Sequence, residues 1–253
     1  MLTRYLRAAL AVAALCAGLA APLAAFDMQA MTPDQRAAFR AEIRAYLLDH
    51  PEVLMEAIGV LEAREQAAQV AGDRDLVASL SDEIFDDGRS WVGGNPAGDV
   101  TLVEFMDYRC SYCRRAHADV TELLARDGDI RFVVKEFPIL GPDSLLAARF
   151  AIAVRNTAGD AAYGTIHDVL ITRRGPVTEG SLTRIARDAG LDPAPVLAAM
   201  DAPDVMAELQ ANRALAERLG INGTPGFVLG DEVLRGYLPL AQMAERVAQV
   251  RAD

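Results

Sequence analysis

The sequence predicts an α/β domain whose sheet is split by a long helical block and preceded by a helical extension. Three observations carry this. A strand–helix–strand run spans 100–137, helical stretches fill 143–219, and strand chemistry returns at 226–235. At 253 residues the chain has room for one full core plus an appendage. Its hydrophobic content of 52% argues against disorder, although much of it is alanine.

The N-terminus reads as a secretory signal peptide over 1–25. Met1–Arg7 carries two arginines, Ala8–Ala21 is uncharged and apolar, and small residues follow to Ala25, where cleavage is expected. The apolar core is short for a membrane span, and an uncleaved anchor is the rival reading. Cys16 falls inside this segment and is discarded with it. Cleavage leaves 23 basic against 36 acidic side chains, a net charge of −13. Such a chain repels nucleic acid and anionic membrane surfaces, so no nucleic-acid partner is expected.

The next block, Thr32 to about Asp87, is helical. Thr32-Pro33-Asp34 supplies an N-cap, a proline at the first helical position and an early acid. Phe39, Ile43, Tyr46 and Leu47 recur at helical spacing, Asp49-His50-Pro51-Glu52 breaks and restarts the helix, and Val53, Leu54, Ile58 and Leu61 form the next stripe. An interruption is expected at Gly72-Asp73, after which Leu76, Leu80 and Ile84 resume the period.

From Trp91 the pattern changes. Gly93–Gly98 reads as a turn-rich entry to a buried strand, Val100–Tyr108. A helix follows Cys113 and ends at Asp127-Gly128-Asp129, and Ile130–Phe137 is a second strand. Helical segments near 143–158, 160–172, 180–189, 193–200 and 203–219 are separated by glycine and proline. Gly226–Arg235 is a hairpin turning at Gly230-Asp231, and Gly236–Val250 is a final amphipathic helix.

Cys110 and Cys113 form a Cys-x-x-Cys where strand meets helix. A helix N-terminus offers free N–H groups and a positive dipole end, which favour a thiolate. In an exported protein two cysteines are too few for a stapling framework, so a redox dithiol is the direct reading. Cys110 is expected to cap the helix and attack, while Cys113, one turn in and more buried, resolves the mixed disulfide. This chemistry calls for no cofactor. A metal site of Cys110, Cys113 and His117 is the alternative; an ordinary helix histidine is the simpler account, and no metal ligand is assigned. His50 and His167 show no partners in the sequence. Glu104, six residues before Cys110, is expected beneath the dithiol as a proton acceptor or donor, with Lys135, the only lysine, as its possible partner. Thr224-Pro225, at the entry to the hairpin, is a candidate cis peptide whose loop lies against the dithiol, with the Thr224 backbone able to pair with an extended substrate.

Val103-Glu-Phe-Met-Asp-Tyr-Arg-Cys-Ser-Tyr-Cys-Arg-Arg115, Lys135–Gly141 and Gly223-Thr-Pro-Gly-Phe227 together resemble the DsbA-type branch of the thioredoxin superfamily. The resemblance implies a thioredoxin fold over 91–253 with a helical insertion at about 142–218. By position it makes Cys110 the nucleophile, Cys113 the resolving thiol, Glu104 the buried acid and Pro225 the cis-proline. The helical region 26–90 is similar to the N-terminal extension of ScsC-like proteins. In that subgroup it drives oligomerisation, often to trimers, with disulfide isomerase activity. The strongest oxidases carry Pro-His between the cysteines. Ser111-Tyr112 supplies no imidazole, so the Cys110 pKa should be less depressed than the oxidase extreme of about 3.5, with Arg109 and Arg114 offsetting part of the loss.

The expectation is therefore a periplasmic thiol–disulfide oxidoreductase, an isomerase acting on exported proteins. It would form a homo-oligomer, a trimer by preference, and draw on a membrane redox partner. A DsbA-type oxidase and a copper-binding protein using the same thiolates are the alternatives.

Overall fold

The structure, a computed structural model, describes residues 28–252. The expected signal segment, with Cys16, lies outside them. The chain divides into a unit ending at Arg64 and a second beginning at Glu65.

In the first unit a 3-10 turn at Met28–Ala30 precedes α1 (Pro33–Asp49) and the start of α2 (Glu52–Ser79). Thr32 closes a capping box. Its Oγ1 accepts from the Gln35 N–H at 3.3 Å while the Gln35 side chain accepts from the Thr32 N–H at 2.9 Å. No residue of α1 is buried. Phe39, Ile43, Tyr46, Leu54, Ile58 and Leu61 are between 41% and 56% exposed.

The interruption expected at Gly72-Asp73 does not occur; α2 runs through it. One helical glycine costs only about 1 kcal/mol. Asp73 is held by a bidentate bond from Arg235 (2.7 and 2.8 Å), and Val77 is buried one turn on. The break comes at Leu80, where α3 (Ser81–Phe85) begins.

The second unit is built on a five-stranded sheet of β1 (Trp91–Gly94), β2 (Val100–Met106), β3 (Ile130–Glu136), β4 (Gly226–Leu229) and β5 (Glu232–Arg235), in the order β1-β3-β2-β4-β5. β2 and β3 are parallel, joined over one face by α4 (Ser111–Asp127); the other pairs are antiparallel. β1 lies where only a turn-rich entry was expected. Its Trp91 indole folds back over Gly93, where an added Cβ would sit 2.2 Å from the ring. The glycines that disguise the strand are therefore a packing requirement.

The insertion comprises α5 (Pro142–Ala158), α6 (Asp160–Thr172), α7 (Glu179–Asp188), α8 (Pro193–Ala199) and α9 (Pro203–Arg218), close to the expected bounds. The last helix, α10 (Leu240–Val250), starts later than expected. Gly236 has φ of 105°, outside helical space, and Pro239 is the N-cap.

Alternation along the strands sorts the two faces. Leu102, Met106, Phe132 and Val134 pack with α4, α10 and the insertion. Val103, Phe105 and Val133 pack on the other side with Val77, Leu80, Ile84, Leu215 and Leu219. Full burial of such side chains stabilises by about 1.5–3 kcal/mol each, so the segment 77–85 is part of this core.

Lys135 pairs in register with Phe105 and Glu104 with Val134, which puts Lys135 and Glu104 on opposite faces. The expected Lys135–Glu104 pair is thus corrected: the Lys135 ammonium, fully buried, bonds Asp87 at 2.7 Å and the Glu83 carbonyl at 2.8 Å. Burial alone would push the Asp87 carboxyl up, but Lys135 and the N–H groups of Ser90 and Arg89 hold it well below the usual range. Among the described residues no helix is long and apolar enough to cross a membrane.

Asp87→Asn should destabilise the protein by about 3–5 kcal/mol in urea unfolding, because it strands a buried ammonium. Asp87→Leu combined with Lys135→Met should lose much less. A single-variant loss under about 1 kcal/mol would contradict the pairing.

Candidate active site

β2 ends at Met106, and the chain turns sharply into α4. Asp107 fixes that turn. Its Oδ1 accepts from the Arg109 N–H at 2.7 Å, its Oδ2 from the N–H groups of Ile139 and Leu140 at 2.8 and 3.0 Å, and its carbonyl from the Cys110 N–H at 3.0 Å. The next residue able to cap the helix is Cys110. Its backbone is extended (φ −75°, ψ 122°), and its Sγ accepts from the Cys113 N–H at 3.3 Å. A sulfur thus stands where a serine or aspartate oxygen usually does.

Cys110 is 6% exposed and Cys113 fully buried, in the relation the strand–helix junction predicts. Both are free thiols. The Cys110 thiol is lowered to about 5, first by a hydrogen bond from Cys113, against the opposing pull of burial, then by Thr224 and by the N–H groups of Cys113 and Tyr112. Burial pushes the Cys113 thiol far up, helped by its bond to Cys110 and by the Glu104 charge. The two sulfurs are driven apart in acidity. At neutral pH about a hundredfold more Cys110 is thiolate than thiol.

Arg109 and Arg114 do not support the thiolate as expected. Their guanidinium groups bond carbonyls of the insertion: Arg109 to Gly175 at 2.7 Å, Arg114 to Ile171 at 3.0 Å and to Arg173 at 3.1 Å. They fasten the dithiol turn and helix to the end of α6 and the loop after it instead.

Glu104 is buried at 3% exposure, on the face of β2 that α4 covers. Burial, and secondarily the Cys110 charge, push its carboxyl up to about 8. It holds a proton at neutral pH and can exchange it near that pH.

The Thr224-Pro225 bond is cis. The Thr224 carbonyl lies 3.1 Å from Cys110 Sγ and accepts from the thiol when it is protonated. The Pro225 carbonyl accepts from the Gly236 N–H at 3.1 Å, tying this loop to the end of β5. The five residues singled out in the sequence, Cys110, Cys113, Glu104, Thr224 and Pro225, therefore belong to one region of the structure.

Other groups were missed. The Arg115 guanidinium lies 5.6 Å from the Tyr112 ring and 5.5 Å from the Tyr237 ring, and Tyr237 donates to Asp119 at 2.5 Å. Tyr112 is 55% exposed, so this aromatic–cation group rims the dithiol. The three-residue spacing of Tyr112 and Arg115 was legible; Tyr237 had no signal. His167, expected to lack partners, is buried against Tyr108, whose hydroxyl meets its Nδ1 at 3.1 Å. His50 also has a partner, Glu52 at 3.0 Å.

A family model described as a DSBA-like thioredoxin domain matches residues 101–248. The chain belongs to the DSBA-like thioredoxin domain family. A second model, the N-terminal domain of the copper resistance protein ScsC, matches residues 35–68. A thioredoxin-like oxidoreductase from Silicibacter pomeroyi DSS-3 is 42% identical, with a TM-score of 0.65 over 68% of this chain and 98% of that one. A linker-deletion mutant of Proteus mirabilis ScsC is 25% identical, with a TM-score of 0.67 over 89% of this chain and 99% of that one. The Na(+)/H(+) antiporter NhaA of Herminiimonas arsenicoxydans is 31% identical over 146 residues, 57% of this chain; the match spans only 23% of the antiporter. The part from β2 onward thus has the thioredoxin fold of the DsbA type, with a helical insertion.

Titration of thiolate absorbance in the reduced protein should give a midpoint near 5, and Cys113→Ala should move it upward by removing the largest stabilising hydrogen bond. A wild-type midpoint above about 7.5 would overturn the geometry described. Glu104 binds its proton more tightly folded than unfolded, so its stabilising contribution is full below about 4.5 and lost as pH rises toward 8. Glu104→Gln should therefore stabilise the reduced protein by about 3 kcal/mol at pH 7 and hardly at all at pH 4. Equal effects at both pH values would refute this.

Proposed function

We propose that this chain is a periplasmic thiol–disulfide oxidoreductase that acts as a disulfide isomerase on exported proteins. The observation that carries the reading is Cys110 Sγ capping α4 beside a buried, proton-holding Cys113.

In this mechanism the Cys110 thiolate attacks one sulfur of a substrate disulfide. That S–S bond breaks, the other substrate sulfur leaves as a thiolate, and a mixed disulfide forms on Cys110. In isomerisation a different substrate thiolate attacks the mixed disulfide and releases Cys110 with no net transfer of electrons. In reduction, Cys113 gives up its proton, for which Glu104 in its ionised form is the acceptor, and attacks Cys110 Sγ. The substrate leaves with two electrons and the cysteines are left as a disulfide. Oxidase activity is the reverse sequence, and a membrane redox partner would reset the pair. The Thr224 carbonyl meets Cys110 Sγ at 3.1 Å, and the loop that carries Thr224 and Pro225 also lines an open groove with Arg235 and Gly236, suited to an extended peptide laid along the loop.

Isomerase rather than oxidase action is favoured by the apolar stripes of α1 and the first half of α2. They are uncovered within one chain, and the ScsC N-terminal model matches the same stretch. We assign 26–90 to an oligomerisation region and linker and 91–253 to the oxidoreductase domain. The self-associating face lies before Glu65, and a trimer is the preferred assembly. Export through cleavage of 1–25 supplies the oxidising compartment. Copper binding by the same two thiolates is the second reading, favoured by the copper-resistance description of the matched model.

The test compares refolding of a scrambled-disulfide protein by the chain from Phe26 and by one starting at Glu65. The shorter chain keeps Val77, Leu80, Ile84 and Asp87, so it retains the second core. The longer chain should be trimeric by light scattering and isomerise at least tenfold faster. Equal rates, or a monomeric longer chain, would remove the isomerase reading.

A further inference from the structure

We infer that His117, His167 and Asp168 form a binding site for a divalent cation of the zinc class, separate from the dithiol. One ligand atom from each residue lies within 4.8 Å of the others. His117 stands on α4 one turn beyond Cys113, and His167 and Asp168 are consecutive on α6, so the site bridges the thioredoxin core and the insertion. His117 Nε2 already faces Asp168 Oδ1 at 3.5 Å.

The hydrogen bonds behind His167 fix its tautomer. The Tyr108 hydroxyl has one proton and donates it to Glu136 Oε1 at 2.7 Å, so its oxygen accepts from the His167 Nδ1–H at 3.1 Å. That leaves Nε2 as the nitrogen with a lone pair to give. The ring packs beside Trp91, with centroids 6.0 Å apart, and Tyr163, at 5.9 Å, two rings that also touch each other at 5.3 Å, and this cluster holds its orientation. A histidine whose second nitrogen donates to a fixed, buried hydroxyl is oriented as metal-ligating histidines are by the groups behind them.

Two imidazoles and one carboxylate suit Zn(II) with solvent in the fourth position, whereas soft Cu(I) selects thiolates.

The test is calorimetric titration of Zn(II) into the full chain at pH 7, as wild type and as Cys110→Ala/Cys113→Ala, which removes both sulfurs. One equivalent should bind in each. In the double-alanine background His117→Ala and Asp168→Asn, both at accessible positions, should each weaken binding at least tenfold. The thermal midpoint should rise with Zn(II) in the parent but not in His117→Ala. Absence of stoichiometric binding, its loss with the two cysteines, or its indifference to His117→Ala would overturn the assignment.

Discussion

The hydrogen bond from the Cys113 N–H to Cys110 Sγ organises the rest of the site. It makes a sulfur the cap of α4, and a capping atom does its work best as an anion. The cost of that anion is limited because the surroundings are asymmetric. Cys110 accepts from the Cys113 thiol and from backbone N–H groups, while Cys113 lies among apolar side chains where charge is expelled. One turn of helix therefore holds two thiols of the same intrinsic acidity in opposite protonation states. Attack by the first and proton retention by the second follow from position alone.

The sheet contributes through parity. Residues 102, 104 and 106 of β2 face α4, and 103 and 105 face the opposite core. This places one carboxyl under the dithiol and keeps the ammonium of Lys135 away from it, with Asp87 as its own counter-ion. Had the two met, Glu104 would be a paired carboxylate with a depressed pKa, unable to trade a proton near neutrality. The segregation of charge to two faces is what leaves Glu104 protonated.

The strand, the capping cysteine, the hairpin and the insertion helices were legible because each is a local pattern: apolar alternation, a residue at a helix start, or glycine and proline between periodic stretches. The proline loop was legible because a Thr-Pro before strand residues is unusual. β1 was hidden by its two glycines: Gly93 admits the Trp91 ring, and Gly94, with φ of 64°, lies against the Ile130 carbonyl, contacts that no periodicity reports. The face occupied by Lys135 depends on the register between β2 and β3, and the partner of His167 lies 59 residues away in Tyr108. Such pairings exist only once the chain has closed. Gly72 misled for the opposite reason: a locally weak helical residue is carried by the Asp73–Arg235 bond and by Val77.

The burial of Lys135 has a practical corollary. It is the sole lysine of the sequence, so every positive side chain on the folded surface is a guanidinium or an imidazole. Acylating dyes, biotin esters and aldehyde cross-linkers find no lysine amine to react with. A subunit count by such reagents would rest on the α-amino group of each chain alone, so covalent capture of neighbours calls for carboxyl- or arginine-directed chemistry.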